Sequence, residues 1–214
     1  MHLTKLILAT TALAAVAVAQ NPITADSPFQ VRYASNLTVG DSVINITNTG
    51  ANGASLFGPG FGGAVGNICV NVYAFSPDEQ LVSCCSCLVT PDGLVSLSVV
   101  NDLISNTLTG VRPSSVVVKL ISTLAGGNGT GTSCTNSAAT LGGPIVAGLA
   151  AWGTTIHASA AGFATTETAF TPSTLSAGEL GSVTNRCTNI IGNGSTFGIC
   201  RSCRAGGLGA ARSN

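Results

Sequence analysis

Eight cysteines carry most of the chemistry open to this chain. Six fall in two knots, Cys84, Cys85 and Cys87 in mid-chain and Cys187, Cys200 and Cys203 near the end, with Cys69 and Cys134 apart. Behind an export signal such a set points first to four disulfides, although the sequence leaves on the order of 100 connectivities open. The alternative is metal, because Cys84 to Cys87 and Cys200 to Cys203 both have C-x-x-C spacing and two such knuckles build a four-thiolate zinc site. A knuckle needs a turn, however. The residues around Cys84 alternate as a strand does, and an exported protein would have to keep its thiolates reduced. A redox C-x-x-C opens a helix after a strand, whereas Cys200-Arg201-Ser202-Cys203 precedes a glycine-rich tail. Neither motif is followed by histidine, which excludes covalent haem attachment. The expectation is structural disulfides at all eight positions, with no metal ligand and no cofactor.

Groups for catalysis are thinly supplied. His157 is the sole histidine beyond the leader, so any Ser-His-Asp or Cys-His scheme would have to use it. It sits among Thr155 and Ser159 on an alternating segment, where a lone histidine is ordinarily structural. Asp78-Glu79 falls in a turn, a common place for acids that bond to local backbone. A glycosidase needs two carboxylates across a cleft lined by sugar platforms, and the chain has one Trp and two Tyr. The run Gly58-Pro59-Gly60-Phe61-Gly62-Gly63 lacks the G-K-[ST] of a phosphate loop. No catalytic residue is assigned. The candidate binding side chains are Trp152 and the loop pair Phe57 and Phe61. Sequons at Asn36, Asn45, Asn128 and Asn193 are acceptors only in a host that glycosylates.

The elements that must position these groups read as mainly β. Met1 to Ala19 has a short basic start, an apolar run and Ala17-Val18-Ala19, the small-x-small pattern of a cleaved signal peptide, so the mature chain is expected to begin at Gln20. That run is short of the ~20 residues a spanning helix needs, and no later segment reaches it, so no membrane span is expected. Residues 20 to 214 are expected to form a single β-rich domain, with the 125 to 143 loop as the one internal boundary to consider. Charged residues are 7% of the chain, eight basic against eight acidic, and aromatics are 5%. With no basic stripe or aromatic platform, nucleic acid is not an expected partner. A mean hydropathy of +0.48 argues against disorder.

Phe29 to Tyr33 and Ser42 to Thr47 alternate as strands, and Asn48 to Gly66 is a glycine-rich loop. Ile68 to Phe75, Gln80 to Val89 and Leu94 to Val100, separated by turn sequences, read as an antiparallel meander. In that register Cys69 faces Cys84, the first bridge expected. Cys87 faces Ser96 and Cys85 faces Ser98, leaving Cys85 and Cys87 to reach Cys134 and the carboxy-terminal cysteines. Both faces of the meander are apolar, which calls for a covering layer on each and favours a disulfide-stapled β-sandwich. Asn101 to Leu108 reads as a short helix, Ser115 to Ser122 as a strand, and Leu149 to Phe170 as a hairpin. Ser176 to Ile191 is the strongest helix, with Ser176 and Glu179 as a capping box and Leu180, Val183, Cys187 and Ile190 on one face.

The run from Cys84 to Leu94, together with Asn101-Asp102-Leu103-Ile104-Ser105-Asn106 and the ending Phe197-Gly198-Ile199-Cys200-Arg201-Ser202-Cys203, resembles a group of exported bacterial proteins with a C-C-x-C…C-x-x-C cysteine pattern. The resemblance covers most of the mature chain and implies export, but it carries no activity and no functional residue with it. The function expected is therefore non-enzymatic, that of a secreted or cell-surface structural protein. Self-association is the expected mechanism, with low charge removing repulsion. The segment from Asn21 to Leu37, through Phe29, Val31 and Tyr33, would donate a strand to a neighbouring copy. The alternative is an extracellular glycan- or matrix-binding module using Trp152, Phe57 and Phe61. A secreted hydrolase dependent on His157 comes third.

Overall fold

The computed structural model describes residues 27–57, 63–140, 143–160, 162–201 and 203–205; the leader expected over Met1 to Ala19 lies outside them. Among the described residues the strands are β1 (Phe29–Ala34), β2 (Ser42–Asn48), β3 (Ile68–Phe75), β4 (Leu81–Val89), β5 (Leu94–Ser98), β6 (Val116–Leu124), β7 (Leu149–Ser159), β8 (Gly162–Ala169), β9 (Thr171–Pro172) and β10 (Arg204–Ala205). One α-helix, α1 (Ala177–Gly192), lies between β9 and β10. The strands form two antiparallel sheets, ordered β4-β3-β6-β1-β9 and β10-β5-β2-β7-β8. Only the β3–β4 and β7–β8 hairpins stay within a sheet. Every other connection between successive strands carries the chain across to the opposite layer. The mainly β, disulfide-stapled sandwich with a carboxy-terminal helix is thus the observed architecture.

The continuous apolar runs of β3 and β4 have a direct cause: the first sheet is covered on both faces, as such runs require. Its inner face meets the second sheet in a core that includes Val70, Val72, Cys85, Leu120, Ile44 and Ile46. Its outer face carries Tyr73, Phe75, Cys84 and Ile121, which meet Val183, Cys187 and Ile190 of α1 in a second core. Period-2 alternation therefore sends Cys84 to the helix and Cys85 and Cys87 to the sandwich interior. The helix starts where the capping pattern placed it, with Ser176 Oγ accepting from Glu179 N at 3.1 Å. The Glu179 carboxylate reaches across to Lys119 Nζ at 2.6 Å, tying the first turn of α1 to β6.

Three expectations are corrected. The pairing of β3 with β4 continues to Phe75 opposite Leu81 and contains a bulge at Ala74/Phe75, with the reversal made by Ser76 to Gln80. Cys69 therefore lies opposite Leu88 and Cys84 opposite Tyr73, and the expected Cys69–Cys84 bridge does not form. Second, β5 does not pair with β4. The Thr90–Gly93 turn is present, with Gly93 N donating to Thr90 O at 2.9 Å. Asp92 N also donates to Asn48 O at 3.0 Å, and this anchors the turn to the end of β2 and delivers β5 to the second sheet. Cys85 and Cys87 accordingly do not face Ser98 and Ser96. Third, the helix expected over Asn101 to Leu108 is a single wide turn, Val99–Leu103. It is closed by Ile104 N on Val99 O at 2.9 Å, and the buried Asp102 carboxylate accepts from Ser98 N at 2.7 Å.

On each side of the sandwich the chain bridges the two sheets. On one, the tail lies along the free edge of β4, where Cys84 N donates to Gly198 O at 2.8 Å, and then pairs with β5 through β10. On the other, the chain crosses from β8 to β9 at the buried Phe170, whose N–H donates to Ala151 O at 2.9 Å. Arg32 of β1 fills the seam beside it. Its guanidinium donates from Nε to Thr168 Oγ1 at 3.0 Å, and from its two terminal nitrogens to Ser42 Oγ at 2.8 Å and Thr155 Oγ1 at 2.9 Å. Burial holds its pKa below the usual arginine value. The guanidinium lies against the backbone of Gly153 so closely that a Cβ there would overlap it.

Candidate functional site

The solvent face of the second sheet is the surface on which the structure assembles polar groups around an aromatic ring. Ile44 and Ile46 of β2 point into the core, so alternation turns Val43, Asn45 and Thr47 outward. Register then sets Asn45 opposite both Trp152 of β7 and Ser96 of β5, and Thr154 of β7 opposite Glu167 of β8. A hydrogen-bonded row crosses four strands. Ser96 Oγ donates to Asn45 Oδ1 at 2.7 Å, Asn45 Nδ2 donates to Thr154 Oγ1 at 3.2 Å, and Thr154 Oγ1 donates to Glu167 Oε1 at 3.1 Å. The half-buried Trp152 ring lies beside this row. Each polar side chain in it has its orientation fixed by the next, which is the preorganisation that a shallow polar ligand needs.

Beyond this row the sheet ends on an open strand. β8 is the edge of the second sheet, and all eight of its residues are exposed. The pairing of β2 with β7 ends at Ser42 opposite Thr155, so the outer part of the β7–β8 hairpin is a two-stranded ribbon standing beyond the sandwich. Phe163 near its tip is 82% exposed. The strand carries one charged residue, Glu167, and no proline.

The remaining sequence-derived residues are dispersed. Phe57 is exposed on the loop after β2, and Phe61 lies outside the described residues. A cavity of about 310 Å³ under that loop is lined by Val65, Leu88 and Pro91 among others, and by neither Phe57 nor Trp152. Phe29 is buried in the helix-side core, Val31 packs against it, and Tyr33 is exposed. β1 itself is paired with β6 along its whole length and with β9 at Gln30 and Val31. As a strand of its own sheet, Phe29–Ala34 is not a free donor segment, and the open edge lies on β8 instead. His157 is half-buried on β7 opposite Ala164.

The cysteines pair as Cys69–Cys134, Cys84–Cys187, Cys85–Cys200 and Cys87–Cys203, and none is free. The sulfurs of Cys85, Cys87 and Cys203 lie within 4.8 Å of one another, a spacing that thiolate ligands of one metal would also have. With every sulfur bonded to another there is no thiolate to donate, so the knuckle spacing serves two adjacent bridges. The sequence reading named Asn45 only as a sequon and gave no site role to Thr154 or Glu167. The alternation of β2 and β7 marked which residues face outward but not which strands stand side by side. No family model, no curated protein and no solved structure matches this chain.

Proposed function

We propose that this protein is an exported, non-enzymatic structural or cell-surface subunit that associates with copies of itself by pairing strand edges at β8. The observation that carries this reading is an eight-residue edge strand exposed at every position, with no strand paired to its outer side among the described residues. Such edges template pairing with another chain unless charge, proline or a bulge blocks them. β8 has one charge and no proline, and the chain has 7% charged residues where about 25% is ordinary. Four disulfides and two covered cores give a body rigid enough to present that edge outside the cell. Light scattering and electron microscopy of the purified, oxidised protein test the reading. Association that grows with concentration and is lost in Phe163→Lys/Thr165→Lys is the expected result. A strict monomer at high concentration overturns it.

A second reading rests on a different surface. Trp152 beside the Asn45–Thr154–Glu167 row suits a glycan, with the ring stacking on a sugar face and the row accepting and donating to its hydroxyls.

A further inference from the structure

Between the first sheet and the amino-terminal half of α1 lies a half-open pocket of about 350 Å³, within the range of small-molecule sites. Its walls are Ile121, Ile145, Leu180, Gly181 and the Tyr73 ring, with Asn71, Thr123 and Thr184 as polar members, and among the described residues no charged side chain lines it. Asn71 is 1% exposed, and among the described residues its Oδ1 has no hydrogen-bond partner. An unmade bond on so buried an acceptor is costly, and a native fold rarely leaves one without a reason.

The neighbouring groups define what would satisfy it. Asn71 Nδ2 donates to Thr123 Oγ1 at 3.3 Å, and that hydroxyl donates onward to Cys69 O at 3.3 Å, which leaves Oδ1 as the open end of the amide. The other hydroxyls on the wall are already directed elsewhere. Tyr73 donates to Ala139 O at 2.8 Å and Thr184 to Leu180 O at 2.7 Å. Among the described residues Asn71 Oδ1 is thus the one lining side-chain oxygen with no partner, on a wall that is otherwise mainly apolar.

We propose that this cavity binds a small, neutral, mainly apolar molecule carrying one hydroxyl or amide-type N–H, which donates to Asn71 Oδ1. The site lies on the helix-covered face of the first sheet, apart from both β8 and Trp152, and is independent of self-association.

The test uses indole, which has the donor, and indene, which has the same bicyclic shape without it. Each is titrated into the isotope-labelled, oxidised protein and followed by the backbone amides of Ala177 to Thr184 and the side-chain amide of Asn71. Indole is expected to shift both sets of signals and to bind at least about fivefold more tightly than indene, because only indole satisfies the buried acceptor. Gly181→Leu fills the cavity from a helix position where an added Cβ meets nothing within 4 Å, so the fold survives and binding is lost. Asn71→Leu, where it folds, is expected to bring indole down to the affinity of indene. Absence of binding by both probes, equal affinity for the two, or undiminished indole binding to Gly181→Leu would each overturn the proposal.

Discussion

Deleting the disulfides one at a time, each as a pair of alanines, is expected to cost most at Cys69–Cys134, less at Cys84–Cys187 and least, about equally, at Cys85–Cys200 and Cys87–Cys203, which close the same small ring. In the chain-entropy model a bridge contributes according to the ring it closes while the other bridges are in place. Cys69–Cys134 has the shortest separation, 65 residues, but no other bridge offers a shorter path between its ends, so it contributes about 4 kcal/mol. Cys84–Cys187 spans 103 residues. With Cys85–Cys200 formed, however, it closes a ring of only about 15 residues, from Cys187 to Cys200 and back through the adjacent Cys85 and Cys84, for about 3 kcal/mol. Cys87–Cys203 spans 116 residues yet closes a ring of about 6 beside the same bridge, for about 2 kcal/mol. Truncating the fully buried Cys84 and Cys187 also removes packing, so a thermodynamic cycle separates the two effects. Removing Cys84–Cys187 in a background that already lacks both tail bridges restores the long ring and is expected to cost about 2 kcal/mol more than removing it from the intact protein, the packing loss being common to both. Guanidinium unfolding followed by far-UV circular dichroism measures these differences. Losses that rise with sequence separation, or a cycle that closes additively, would refute the nested arrangement.

Three further outcomes are expected. Gly153→Ala forces the Arg32 guanidinium from its three hydroxyl partners and should destabilise by about 1–3 kcal/mol in chemical denaturation, with a much smaller loss in an Arg32→Met background. On the glycan reading, Trp152→Ala should abolish retention on a glycan array while leaving a cooperative unfolding transition, and unchanged retention would remove that reading. Peptide mapping without reductant should recover the four cystine pairs of the structure, whereas a Cys69–Cys84 peptide or zinc-bound thiols would contradict the fold.

Local signals in the sequence located most of the elements, the short helix expected over Asn101 to Leu108 being an exception. Alternation located β1, β2 and β7, and Ser176 with Glu179 placed the start of α1 within a residue. Alternation around Cys84 separated it from Cys85 and Cys87, a division that the two cores reproduce. What local pattern lacks is the identity of the neighbour. Thr90-Pro91-Asp92-Gly93 is a sound turn, but a turn fixes a reversal and not the sheet that the next strand joins. Bonds from Asp92 N to Asn48 O and from Thr47 Oγ1 to Gly93 O set the start of β5 beside β2. The turn sequence does not fix which residues close it: the reversal over Ser76 to Gln80 shifts the register and the bulge at Ala74/Phe75 adds one residue more, so Cys69 faces Leu88 and not Cys84. The row beside Trp152 depends on the register between β5, β2, β7 and β8, and the open acceptor of Asn71 depends on Thr123 and the helix above it. Neither is a property of any one segment.

Hydrogen exchange at β8 addresses self-association most directly. Amides of Gly162–Ala169 are compared in dilute and in concentrated oxidised protein, alongside those of β3, which is interior in both. Pairing between edges predicts that the outward-facing amides of β8 become protected as concentration rises while β3 is unchanged. Assembly that leaves β8 exchanging as fast as in the monomer would contradict it.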